Sequence, residues 1–69
     1  MNAIQQAQEL IDQSISRDEI THAEFDADIA EELEAASDGG TRNDSVTEYW
    51  GVTESGDEWR VHLDHASRN

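Results

Sequence analysis

The sequence predicts an α+β fold: a helical hairpin packed on one face of a two-stranded antiparallel β-hairpin, in the order α-α-β-β. Two observations lead there. The first half contains two stretches whose apolar residues recur at helical spacing. The last third alternates apolar and polar residues on both sides of Ser55-Gly56, as two strands and their turn do. Sixty-nine residues make a single domain, 1–69, with a small core.

The first helix is expected over about residues 2–16. Ile4, Ala7, Leu10, Ile11 and Ile15 share one face, with Ala3 and Ser14 on the same arc. Gln5, Gln6, Glu9, Asp12 and Gln13 lie opposite, and the Asn2 side chain is suited to cap the first turn. Ser16-Arg17-Asp18-Glu19 has a capping-box pattern that opens a short turn.

The second helix is expected over about residues 21–37, started by a second capping box, Thr21-His22-Ala23-Glu24. Ile20 and Phe25 fit a hydrophobic staple around that start. Phe25, Ile29, Leu33 and Ala36 then form a narrow apolar face. Asp38-Gly39-Gly40 stops the helix, because glycine tolerates the left-handed conformation of a helix end. Residues 38–44 read as a polar loop.

The hairpin is expected over about residues 45–64. A two-residue turn at Ser55-Gly56 sets Val52 opposite Trp59 and Trp50 opposite Val61, so all the large apolar groups share a face. Trp50 and Trp59 then belong to the core. The other face carries Thr47, Tyr49, Gly51, Thr53, Glu58, Arg60, His62 and Asp64, with Tyr49 beside His62 and Arg60 diagonal to Tyr49. Two strands alone are marginal in water, so their apolar face must pack on the helices. Residues 65–69 are expected to form a short frayed tail.

Charge is the dominant compositional fact. Seventeen acids face four bases, for a formal net charge of −13 and a pI near 4.1. Lysine is absent, and the bases are Arg17, Arg42, Arg60 and Arg68. This balance argues against direct nucleic-acid binding and against an anionic membrane surface. It favours a basic partner, a cation cloud or a salty medium. There is no cysteine, so no disulfide or thiolate metal site exists. The N-terminus lacks the pattern of a signal peptide and no stretch is suited to span a membrane, so the expectation is a cytoplasmic protein. A homodimer would enlarge the small core, whereas the charge favours a monomer.

The acids concentrate around the expected second helix. Glu24, Asp26, Asp28, Glu31, Glu32, Glu34 and Asp38 are the candidate partner-binding residues. On a helix, Glu24, Asp28, Glu31 and Glu34 point away from Phe25 and Ile29, while Asp26 and Glu32 flank the apolar stripe. Seven charges over about 21 Å give one per roughly 3 Å, close to the spacing of about 3.4 Å per phosphate along one DNA strand. Like charges at i,i+4, such as Glu24–Asp28 and Asp28–Glu32, oppose helix formation and ask for an explanation. Mimicry of nucleic acid is one. Salt adaptation is the other, since molar salt cuts the Debye length to about 3 Å.

No metal site, cofactor site or catalytic residue is expected. His62 and His65 are three apart on a strand or its end, without a third ligand at suitable spacing. The carboxylates look uniformly exposed, which separates no acid from a base. A third reading is an interaction module that works through the Tyr49, Arg60 and His62 face.

In size, net charge and α/β content the chain resembles small acidic inhibitors carried by phages and mobile elements, including anti-CRISPR and antirestriction proteins. The resemblance rests on no shared motif, so no residue role is carried over. It implies a stoichiometric, non-catalytic inhibitor of a basic nucleic-acid-binding protein or CRISPR-type complex, acting as a DNA mimic in the host cytoplasm.

Overall fold

A computed structural model describes residues 2–65. The element order is α1 (Ala3–Arg17), β1 (Thr21–Glu24), α2 (Ala27–Ala36), β2 (Gly39–Arg42), β3 (Val46–Val52) and β4 (Glu58–Asp64). The strands form one sheet in the order β1-β4-β3-β2. β1 runs parallel to β4, whereas β3 is antiparallel to both β4 and β2. Of the expected tail, Ala66 to Asn69 lie outside the described residues.

This corrects the two-stranded α-α-β-β expectation twice over. Thr21–Glu24 is an edge strand and not the first turn of a helix. Thr21 is buried, and the strand pairs Thr21 with Val61 and Ala23 with Leu63, covering part of the bare edge of β4. The helix starts later because Asp26 is the stronger cap: its Oδ1 accepts from Asp28 N–H at 2.9 Å and Ile29 N–H at 3.2 Å. Gly39–Arg42, expected as loop, is the other edge strand. Its turn is built by Asn43, whose Oδ1 accepts from Ser45 N–H at 2.8 Å and Val46 N–H at 2.9 Å.

The β3–β4 register is also shifted by one residue. The loop is Glu54-Ser55-Gly56, closed by Thr53 N–H to Asp57 O and Gly56 N–H to Thr53 O, both 2.9 Å. Gly56 adopts φ 90°, the left-handed position of a three-residue hairpin loop. One extra loop residue places Gly51 opposite Trp59 and Tyr49 opposite Val61. Because side chains alternate with period two, this slip exchanges the faces of β3. Thr47, Tyr49 and Gly51 therefore join Trp59, Val61 and Leu63, while Trp50 and Val52 move to the far face.

α1 forms as its pattern dictates. Asn2 Oδ1 accepts from Gln5 N–H at 2.8 Å, and Ala7, Ile11 and Ser14 are buried. At the other end Asp18 takes the left-handed conformation (φ 54°, ψ 45°), with Asp18 N–H on Ile15 O and Glu19 N–H on Ser14 O. This is a Schellman ending with aspartate where glycine is usual.

Both helices contact the sheet, and the core lies between the layers: Ala7 and Ile11 from α1, Ala30 and Leu33 from α2, and Trp59, Val61 and Leu63 from β4. α2 links β1 at one edge of the sheet to β2 at the other, so the chain crosses the whole width of the covered face.

Candidate functional site

The seven expected partner-binding acids do not share one helix. Glu24 ends β1, Asp26 is the α2 cap, and Asp38 lies between α2 and β2. α2 itself carries Asp28, Glu31, Glu32 and Glu34 over ten residues, about 15 Å. The repulsive pair Glu24–Asp28 is thereby relieved, and Asp28–Glu32 remains on the helix. Asp28, Glu31 and Glu34 are exposed and Glu32 is half-buried. Among the described residues none of these four lies within ion-pair distance of a cation. Asp26 and Asp28 sit favourably at the positive end of the helix dipole, whereas Glu34 occupies a last turn without a base.

The sheet face away from the helices carries a second arrangement. Its register aligns His22, His62, Glu48 and Thr41 in one row, with one residue from each strand. The His22 and His62 rings meet edge-on at 5.0 Å. His62 Nε2 lies 3.0 Å from Glu48 Oε2, and Arg60 Nε approaches the same oxygen at 3.6 Å. Thr41 Oγ1 donates to Glu48 Oε1 at 3.5 Å, and His22 Nδ1 is 3.5 Å from Asp64. The next row places the Trp50 indole over Gly39, where a Cβ would meet ring atoms at 2.9 Å. Trp50 is 37% exposed and Val52 50%.

The proposed Tyr49, Arg60 and His62 surface does not exist. Tyr49 faces the helices, and its phenol pKa is raised above 10.0 by burial first and then by the Glu34 carboxylate, with Arg42 opposing. His65 points elsewhere than His62. It bonds Thr47 Oγ1 through Nε2 at 2.8 Å and stacks on Phe25 at 4.3 Å between ring centroids. Among the described residues no group of three His, Asp or Glu side chains is arranged to hold a metal ion.

A groove of about 400 Å³ opens beside the end of α1, lined by the α1–β1 turn, by Asp38 and by the adjoining ends of β3 and β4. Asp18, Glu19, Asp38 and Glu58 line it together with Trp50 and Trp59. Sequence reasoning missed it, because the one-residue register slip placed both tryptophans inside the core. A three-residue reading of the Glu54-Ser55-Gly56 turn would have exposed Trp50.

No family model, curated protein or solved structure matches this chain. No helix among the described residues is long and apolar enough to cross a membrane.

Proposed function

We propose that this chain is a non-catalytic binding protein that presents carboxylates to a basic nucleic-acid-binding partner, in the manner of a DNA mimic. The observation that carries the reading is the exposed set Asp28, Glu31 and Glu34, held on a short rigid helix with no paired cation among the described residues. Carboxylates fixed in this way release counterions from a phosphate-binding groove much as DNA does. Asp26, Glu32, Asp38 and Glu24 extend the surface at both ends of α2. An inhibitor of the anti-CRISPR or antirestriction type, acting in the cytoplasm and binding neither nucleic acid nor membrane itself, is the class this reading fits.

The test is a charge reversal. Glu31→Arg with Glu34→Arg leaves the α2 core residues Ala30 and Leu33 intact. Partners retained by immobilised protein and released by duplex DNA are expected to be lost from the reversed variant. Unchanged retention removes this face from the account.

A second reading is favoured by a different observation. Acids stand on every element except β2, including the turns at Asp18-Glu19 and Glu54 to Glu58. Acidic charge carried on so many elements is also what adaptation of a small adaptor or regulator to high salt produces. The two readings differ in the salt the fold requires.

A further inference from the structure

We propose that the groove beside the end of α1 receives an extended, arginine-bearing segment of a partner protein. The inference rests on the reading of this chain as a binder of basic proteins and adds a second contact, separate from the exposed α2 acids. Four carboxylates, Asp18, Glu19, Asp38 and Glu58, line the groove beside residues Trp50 and Trp59, and of these Glu19 has Arg17 at 3.9 Å. Among the described residues its one lining cation is Arg60, whose guanidinium is already engaged by Glu48 at 3.6 Å. The groove is therefore complementary to positive charge, and its several carboxylates favour a guanidinium, which bonds carboxylates in pairs, over an ammonium.

The backbone suits an extended chain better than a free ion. β1 pairs with β4 only from Val61 onward, so Glu58–Arg60 has no neighbouring strand on that side. The Arg60 N–H points outward there and is capped by Ser14 Oγ at 2.9 Å. By strand alternation the Glu58 backbone N–H and C=O turn the same way and are available to a strand laid along the groove.

Both tryptophans of the sequence are among the residues that line this groove, so their indole N–H signals are followed together with the Gly51 and Glu58 amides. The experiment titrates ¹⁵N-labelled protein with a capped tetra-arginine peptide at about 0.15 M ionic strength. Saturable movement of both indole signals is expected. Asp18→Asn with Glu58→Gln, two lining residues outside the α2 surface, should weaken the titration about tenfold, the effect of removing a substantial contact. Glu31→Gln with Glu34→Gln should leave it within about twofold, because those side chains lie on α2, away from the groove lining. Movement of α2 amides without the indoles overturns the groove while sparing the α2 reading. Equal weakening by both double variants reduces the binding to diffuse attraction. An equal response to spermidine makes the groove a site for any polycation. Each of these last two outcomes also overturns the proposal. Loss of DNA-releasable partners in the α2 charge-reversal variant, with the indole titration unaffected, would separate the two contacts.

Discussion

The Trp50 indole covers Gly39 on the sheet face that carries no helix, while the Trp59 indole covers Gly51 on the face beneath α1. The two pairs have the same geometry and different freedom. A Cβ at Gly39 would meet ring atoms at 2.9 Å, and a Cβ at Gly51 would meet them at 2.8 Å. Trp50 can swing into solvent, whereas Trp59 is 4% exposed and held by the core. Gly51→Ala is therefore expected to cost about 1–3 kcal/mol as overpacking, and Gly39→Ala less than about 1 kcal/mol. Urea unfolding of the two variants measures the difference. Equal costs would mean that Trp50 is packed as tightly as Trp59.

Ser14 ties α1 to the sheet. Its buried hydroxyl accepts from Arg60 N–H, a backbone donor with no strand partner on that side. Ser14→Ala leaves that donor unsatisfied and is expected to cost about 1–3 kcal/mol. A Ser14→Ala protein as stable as the parent in thermal unfolding would show that water replaces the hydroxyl.

Asp26 decides where α2 begins. Asp26→Ala removes acceptance from two N–H groups and should lower stability by about 1 kcal/mol. Asp26→Asn keeps an acceptor and should recover most of the loss. Circular dichroism during urea unfolding distinguishes them; equal loss in both would assign the effect to charge and not to the cap.

Asp18 adopts a left-handed conformation that costs a side-chain-bearing residue about 1 kcal/mol relative to glycine. Asp18→Gly is expected to raise the melting temperature, and a lower one would mean that the carboxylate contributes more than the backbone conformation costs.

Tyr49 is the one tyrosine, so its ionisation can be followed at the phenolate absorbance band. Its pKa is raised in the folded protein, by burial and then by Glu34. A raised pKa means that the folded state prefers the protonated phenol. The stability it contributes is present below the unfolded value of 10.0 and is lost as pH rises through the folded value. Unfolding should therefore become easier in alkali. Glu34→Gln should bring the folded pKa down and Arg42→Gln should push it up; a titration unmoved by either would leave burial as the sole cause.

The sequence made some of this fold legible and hid the rest for identifiable reasons. The Asn2 cap and the Ala7, Ile11 and Ser14 face of α1 are local, and local pattern is enough for them. Thr21 to Glu24 has a start signal for a helix, but its strand exists because β4 offers a bare edge forty residues away. That long-range pairing leaves no mark in the segment itself. Gly39-Gly40 reads as a helix stop and a loop. It becomes a strand because Trp50 and Tyr49 lie across the two glycines. The Asn43-Asp44-Ser45 turn was the available signal for it. The acidic surface was legible as composition, while its division among β1, α2 and the following segment depended on where Asp26 starts the helix.

The most direct test of the central claim is a thermal melt by far-ultraviolet circular dichroism, at low salt and in molar potassium chloride. A surface built to present carboxylates to a basic partner requires a fold that stands without salt screening, so a cooperative transition at low salt is predicted. A chain unfolded at low salt that folds only in molar potassium chloride would contradict the account and assign the acidity to a saline habitat.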